Sequence, residues 1–344
     1  MAEQSQARWI AEADVVSIMD LPGAIDALER GLLAEAEGGA INMVKTHVEW
    51  DGGSTLHAIG AAFTKDGFVG TKTWAHTEGG ATPLLILFDS HNGALKAVIE
   101  AFALGQMRTA SASGVATKWL AAEDASNFAM IGTGRQALTQ IASVVAVRPI
   151  RRIRIFGRNA ERLATFAGRV EQEFGLPVTA SKNIAEATED AHIVTVATRA
   201  TQPILTAAML SPGAHINTIG AIVPSRAELA ADVLARASKI VADSVPQARK
   251  LSRELIEFFG DVSAAWERVE SLASIVQKRQ PRSPATDLTV FKSLGMGISD
   301  LALGVEIYRQ AVASDLGHPF AHPKKIAPRL RSGTVRDATA GWQK

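Results

Sequence analysis

The chain has no cysteine in its 344 residues. That excludes disulfide frameworks, thiolate zinc sites and cysteine nucleophiles together, and it fits a reducing compartment. Net charge is almost absent as well: 36 Lys and Arg face 35 Asp and Glu, leaving +1. A protein whose main partner is nucleic acid needs clustered basic residues, so that class is set aside. Long apolar runs are missing. Stretches such as Pro83–Phe88 fall far short of the ~20 residues a membrane-spanning helix requires. The N-terminal MAEQSQARWIAEADVV has scattered charges where a signal peptide has its apolar core. The expectation is a soluble cytoplasmic protein. At roughly 100–200 residues per domain, its length suggests two domains.

Two textures fill the sequence. Up to Leu120, helix and strand are mixed. Asp20–Leu33 reads as a helix, with Pro22 in its first turn and Ile25, Leu28, Leu32 and Leu33 on one face. Strand patterns cover Asn42–Trp50, Thr55–Phe63, Phe68–Trp74 and Pro83–Phe88, separated by glycine-containing turns. Ala97–Leu120 is rich in Ala, Leu and Ser, lacks proline and reads as one helix. Beyond Asp124, strands alternate with helices. Asn127–Ile131 leads to a helix over Leu138–Val147, and Arg152–Phe156 to a helix carrying Leu163, Phe166 and Val170. Strands Ile193–Ala197, His215–Gly220 and Ile240–Asp243 follow. Such alternation predicts an α/β fold with a doubly wound parallel sheet. The tail Gly317–Lys344, rich in Pro, Lys and Arg, reads as loosely ordered or as wrapping a partner subunit.

Gly132, Gly134 and Ala137 spell G-x-G-x-x-A, with Thr133, Arg135 and Gln136 between them. The first glycine makes a tight turn, the second lets backbone approach a pyrophosphate, and the third small residue seats the helix on its strand. The phosphates then meet the free N–H groups and positive dipole of a helix N-terminus. An apolar strand before the motif and a helix after it give the context a dinucleotide site needs. Thr198, after the strand Ile193–Ala197, joins the same candidate site. At the end of the second strand an NAD enzyme usually places Asp or Glu on the ribose 2′-hydroxyl. This chain has Ile155-Phe-Gly-Arg-Asn there instead. Arg158, beside Asn159, suits a 2′-phosphate by charge-assisted hydrogen bonding. The alternatives are a solvated loop residue or adenine stacking. NADP(H) is therefore favoured, with NAD(H) the other choice.

Met107-Arg-Thr-Ala-Ser-Ala-Ser, the Gly132–Ala137 turn, Gly213-Ala-His-Ile-Asn-Thr-Ile-Gly and Phe291-Lys-Ser-Leu-Gly resemble the ornithine cyclodeaminase/mu-crystallin family in order and spacing. The resemblance implies a Rossmann-type dinucleotide domain inserted into an α+β substrate and dimerisation domain, and a homodimer. The domains would be residues 1–120 plus 295–344, and 121–294. It also implies chemistry at the α-carbon of an amino acid or its imine, beside a nicotinamide. Lys72, Arg108 and Lys45 match the family's basic positions and would hold a substrate carboxylate. Lys45 departs from the usual arginine, replacing a bidentate fork with a point charge. Without the resemblance, Lys45 reads as surface charge and Arg108 as a helix-face ion pair. Lys292, Ser293 and Gly295 would return to the cofactor, although Ser293 also reads as a helix N-cap. Asp300 matches a family aspartate or makes a structural salt bridge.

One departure bears on the reaction. Where cyclodeaminases carry an acid that handles protons at the substrate amine, this chain has Gly220-Ala-Ile222, and isoleucine exchanges no proton. The resulting expectation is an NAD(P)H-dependent reductase of a small α-imino acid, with Lys72 or water as proton source. The alternatives are an ornithine or lysine cyclodeaminase and a non-catalytic, NADP-bound binding protein of mu-crystallin type. His215, in a strand, reads as a satisfied core residue. His47, His57 and His76 line a pocket for a second carboxylate or face solvent, with solvent preferred. No metal site is expected, since Pro319 and Pro323 break any helix that would join His318 to His322.

Overall fold

The computed structural model describes residues 6–328 and 330. Its first sheet is built from β1 (Ala7–Ile10), β2 (Ala40–Asn42), β3 (Thr46–Trp50), β4 (Ser54–Phe63), β5 (Phe68–Thr77), β6 (Gly80–Ala81), β7 (Leu84–Asp89) and β8 (Leu95–Glu100). Helices α1 (Glu12–Ile18), α2 (Leu21–Ala36) and α3 (Phe102–Leu120) accompany it. Ile59, Ala61 and Phe63 of β4 and Leu85 and Leu87 of β7 are buried at the two-residue period of a strand with one covered face. Asp20 caps α2 by accepting from Gly23 N at 2.8 Å, and Pro22 stands in its first turn as expected.

Two expectations in this part fail. Ala97–Leu120 is not one helix: Leu95–Glu100 is a strand, and α3 starts at Phe102. Ala97 and Ile99 alternate with less buried neighbours and pair with β1 and β7, so available strand partners override a helical composition. The Asn42–Trp50 strand is broken at Met43–Lys45, which sets Lys45 free of the ladder.

The second sheet begins with β9 (Asn127–Ile131), α4 (Ala137–Val147), β10 (Arg152–Phe156), α5 (Ala160–Phe174), β11 (Val178–Ala180), α6 (Ile184–Thr188), β12 (Ile193–Val196) and β13 (His215–Thr218). It continues through α7 (Ala231–Arg236), β14 (Ala237–Ala242), α8 (Val245–Leu251), α9 (Arg253–Phe259), β15 (Val269–Ser271), α10 (Leu272–Lys278) and β16 (Leu288–Lys292). All its pairings are parallel, in the order β11–β10–β9–β12–β13–β16–β14–β15. The expected doubly wound α/β arrangement is present. Strand order reverses between β9 and β12, which opens a crevice at the carboxyl ends of the strands.

From there α11 (Gly297–Ala313) runs back to the first sheet, and β17 (His318–Phe320) pairs antiparallel with β1. The first sheet then reads β17–β1–β8–β7–β5–β4–β2, with β3 on β4 and β6 on β5. Of the tail expected to be loose or to wrap a partner, residues 318–320 are thus a strand, and 331–344 lie outside the described residues. Helix α3 ties the sheets together: Thr117 Oγ1 accepts from Asn217 of β13 at 3.0 Å, and the Leu120 carbonyl accepts from Thr289 of β16 at 3.0 Å. Leu272, Ile275 and Val276 of α10 join the apolar core around α2. Among the described residues no helix is long and apolar enough to cross a membrane.

Small residues let α11 settle on the sheet. A Cβ on Gly297 would collide with the backbone of Gly60, whereas one on Gly168, within α5, would meet nothing within 4 Å. Gly297→Ala should cost about 1–3 kcal/mol or more through overpacking. Gly168→Ala should stabilise by roughly 0.5–1 kcal/mol through helix propensity. Thermal or denaturant unfolding of the two variants reads both signs.

Candidate active site

Three basic side chains and one carboxylate meet where β5, α3 and α11 converge. Lys72 points inward from β5, is 4 % exposed, and donates to Asp300 Oδ1. Arg108, in the second turn of α3, brings Nε to 3.4 Å from the same oxygen. Asp300 lies in the first turn of α11 and is fully buried, and its Oδ2 has no hydrogen-bond partner among the described residues. Gly105, one turn before Arg108, leaves room for the ammonium: its Cβ would stand 3.8 Å from Lys72 Nζ. Lys45 makes no ion pair among the described residues and lies 5.9 Å from the Trp74 ring centroid, against 5.2 Å for Lys72. The cluster carries three cations against one carboxylate and so has an excess of positive charge.

Burial pushes Lys72 down to about 8, while the Asp300 carboxylate pulls it back up and the charge of Arg108 adds to the lowering. Lys45 is lowered too, first by burial and then by Arg108. Arg108 packs on the loop after β16: a Cβ on Gly295 would stand 2.8 Å from its Nη1, and Gly295 has φ +87°. This contact joins the cationic cluster to the carboxyl edge of the parallel sheet. His47 and His76 are exposed, as preferred. His57 is half-buried between His47 and Trp74, with ring centroids 5.5 and 4.7 Å away, and burial and then the Lys45 charge push it down to about 4. It is therefore neutral near pH 7. His215 is satisfied in the core, 2.9 Å from Thr289 Oγ1 and 3.1 Å from Asn217 Oδ1.

At the parallel edge Gly132 has φ +115°, and a Cβ there would strike the Ala197 carbonyl. Gly134 has no atom within 4 Å of its would-be Cβ, and Ala137 is buried at the start of α4. Gln136 Oε1 is buried without a partner among the described residues. Arg135 lies over the Phe102 ring at 5.7 Å, across the mouth of the crevice. A positive-φ turn, an open second glycine and an unengaged amide oxygen fit a dinucleotide lying over this bend. Beyond β10, the Gly157 Cβ would stand 2.8 Å from the Thr133 side chain, so the two turns pack closely. A hollow of about 470 Å³ opens beside them, lined by Thr133, Asn159, Glu161, Arg162, Thr165, Phe166 and Arg169. Arg158 is exposed and is not among its lining residues. Asn159 Oδ1 is engaged as the N-cap of α5, accepting from Arg162 N at 2.8 Å.

The remaining candidates hold the edge together through their hydrogen bonds. Thr198 donates through N and Oγ1 to Glu228 at 2.7 and 2.9 Å, and Glu228 also accepts from Gly220 N at 2.9 Å and Ala221 N at 3.2 Å. Lys292 is 1 % exposed and spends its ammonium on Glu254 Oε2 at 2.6 Å. Any approach to a cofactor here falls to the backbone of the segment that follows. Ser293 is not a helix N-cap: α11 begins at Gly297 after Met296, and Ser293 Oγ donates to Asp243 at 3.1 Å. Asp243 also accepts from Leu294 N and Gly295 N, at 2.9 and 2.8 Å. Sequence reasoning missed Glu228, Glu254 and Asp243.

The fold and the crevice define a dinucleotide-binding α/β protein with a cationic, carboxylate-anchored site. The family model for the ornithine cyclodeaminase/mu-crystallin family matches residues 9–315, and the chain belongs to that family. It is 30 % identical over 237 residues to a Delta(1)-pyrroline-2-carboxylate reductase of Bacillus cereus, covering 68 % of this chain and 73 % of the relative. Among solved structures it resembles Delta(1)-pyrroline-2-carboxylate reductase of Thermococcus litoralis in complex with NADH and L-proline. Identity there is 26 %, TM-score 0.84, and coverage 91 % of this chain and 100 % of the other. An archaeal alanine dehydrogenase dimer with bound NAD gives 25 % identity and TM-score 0.83, covering 92 % and 99 %.

Asp300→Asn should lower the Lys72 ionisation below about 8, because the carboxylate is what raises it. Removing one partner of a buried pair should also cost about 3–5 kcal/mol of stability. Lysine ionisation followed by NMR, together with chemical denaturation, checks both. In the parent protein the folded state holds Lys72 less protonated than the unfolded chain. The Lys72 contribution therefore makes stability rise with pH between about 8 and the ordinary lysine value of 10.5.

Proposed function

We propose that the protein is a nicotinamide-dependent reductase of a small α-imino acid, which in reverse is an amino-acid dehydrogenase. The carrying observation is the Lys72–Arg108–Asp300 cluster, joined through Gly295 to the carboxyl edge of the dinucleotide sheet. The reductase and dehydrogenase relatives support the same reading. When bound, the dihydronicotinamide supplies a hydride to the carbon of a C=N bond. Among the described residues Arg108 pairs only with Asp300, its Nε standing 3.4 Å from Oδ1, so its terminal N–H groups are left to take the substrate carboxylate by charge-assisted bonding. Lys45 adds a second positive charge at that end. Lys72, held by Asp300 and lowered towards neutrality, delivers a proton to the nitrogen. Ile222 is 36 % exposed on the loop after β13 and brings no acid for expelling ammonia, which disfavours cyclodeamination.

NADP(H) is the preferred cofactor in this reading, because no carboxylate stands between Ile155 and Asn159. The substrate domain comprises residues 1–120 plus 295–344, and the dinucleotide domain 121–294. A homodimer is supported by Ile41, Val44, Val48, Trp50 and Leu56, apolar residues left exposed along β2–β4 and the segment between them.

Oxidation of NADPH and NADH with 2-oxo acids plus ammonia or amines, and with cyclic imines, tests the activity. Consumption of neither cofactor across the panel would defeat the proposal. Arg108→Ala should chiefly raise KM through lost carboxylate binding. Lys72→Ala should lower kcat by about 10²–10⁴-fold, the range for a positioned proton donor. The parent enzyme's kcat/KM should fall above pH about 8 as Lys72 loses its proton.

A further inference from the structure

The hollow beside the glycine-rich turn has its own chemistry. Arg162, Thr165, Phe166 and Arg169 are spaced by three, one and three residues, so they share one face of α5, and that face forms the hollow's long wall. The opposite lip is Thr133, which stands between the two glycines of the turn and packs against Gly157. The hollow therefore begins where a pyrophosphate would lie and runs outward along α5, the direction of an adenosine ribose. Neither Arg162 nor Arg169 makes an ion pair or hydrogen bond through its guanidinium among the described residues.

We propose that this hollow receives a phosphate on the adenosine ribose, with Arg162 and Arg169 as its two cations, and that it sets the preference for NADP(H). The proposal rests on the dinucleotide reading above and deepens it, moving the recognition from the loop residue Arg158 to the helix. Arg162 and Arg169 are both exposed on this face, and the seven-residue step between them spans about 10 Å, which two arginine side chains can bridge around one phosphate. The Arg162 backbone N–H is already taken by Asn159, so what Arg162 can offer a ligand is its guanidinium. The lining carries two guanidinium groups against one carboxylate, Glu161, and the helix N-terminus adds partial positive charge. A dianionic phosphate matches the two guanidinium charges one for one, whereas a bare ribose hydroxyl would leave both unused and turn to Glu161.

The two occupants give opposite results in binding experiments that need no turnover. Calorimetric titration of the full-length protein with adenosine 2′,5′-bisphosphate and with AMP, and fluorescence titration with NADPH and NADH, measure them. The 2′-phosphorylated member of each pair should bind more tightly. Arg162→Gln and Arg169→Gln should each weaken it by about tenfold or more, the worth of a charged hydrogen bond, and leave AMP and NADH unchanged. Equal affinity for bisphosphate and AMP would overturn the proposal. So would equal losses for NADPH and NADH in the arginine variants, or a loss of NADH binding confined to Glu161→Gln. If Arg158→Gln alone removed the discrimination, the assignment to α5 would be wrong. Because no substrate enters these titrations, their outcome is separate from whether an imine is reduced.

Discussion

Asp300 is the constraint on which the centre of the molecule depends. Burying an ammonium costs several kcal/mol, and Lys72 is almost completely removed from water. Asp300 offsets that cost without cancelling it, so the lysine stays charged at neutral pH yet only just. The pairing is also incomplete. Among the described residues Asp300 Oδ2 and Arg108 Nε are buried without hydrogen-bond partners, Nε having only the 3.4 Å ion pair to Asp300 Oδ1, and Lys45 stands nearby with no ion pair. A cluster built for stability alone would close these gaps. The cations are left under-neutralised instead, and the fold holds that tension in place with α11 and β5.

Across the crevice the same problem is solved with acceptors. Glu228 gathers N–H groups from the loops after β12 and β13, and Asp243 gathers those of the loop after β16. Glu254 accepts from Glu228 N at 2.7 Å and also holds Lys292. Burial raises the Glu228 and Asp243 carboxyls, and the backbone donors pull both back down. The loops at the carboxyl edge of the parallel sheet are thereby tied together by buried hydrogen bonds. Only the glycine-rich bend is left open.

The sequence carried β9, β10, β12, β13 and β14 of the parallel sheet, because strand and helix periods alternate there and Gly132 and Gly134 punctuate them, but not the three-residue β11 and β15, nor β16. It carried Lys72 and Arg108 only through resemblance. Nothing local distinguishes a lysine in a strand from a solvated one, and their meeting depends on Asp300, 228 residues away along the chain from Lys72. Strands β1, β8 and β17 were not legible. β1 and β17 are short, and β8 runs with a single residue between into the alanine-rich α3, so its end is set by partners rather than by its own pattern. The three buried carboxylates left no signal for a related reason. An acceptor of backbone N–H groups has no period, and Glu228 looks like any surface glutamate until the loops fold around it. Ser293 misled because a serine shortly before a helix resembles a cap, while Asp243 claims its hydroxyl.

The short segment between β16 and α11 shows why the two halves of the site are not independent. Within it Gly295 needs a positive φ and must leave space for the Arg108 guanidinium, while Gly297 must lie against the backbone of Gly60. Lys292 at one end is locked to Glu254 in the dinucleotide edge, and Asp300 at the other is locked to Lys72 in the first sheet. The nine residues from Lys292 to Asp300 therefore connect the carboxyl edge of the parallel sheet to the carboxylate that holds Lys72, with Asp243 gripping the middle. Arg108 is fixed from the other direction by α3, whose far end is hydrogen-bonded to β13 and β16. A displacement of either sheet relative to the other would have to move both connections at once. The separation between the carboxyl edge of the parallel sheet and the cationic cluster is thus set by covalent chain and buried hydrogen bonds, a pre-organised spacing of the kind that positioning two reactants requires.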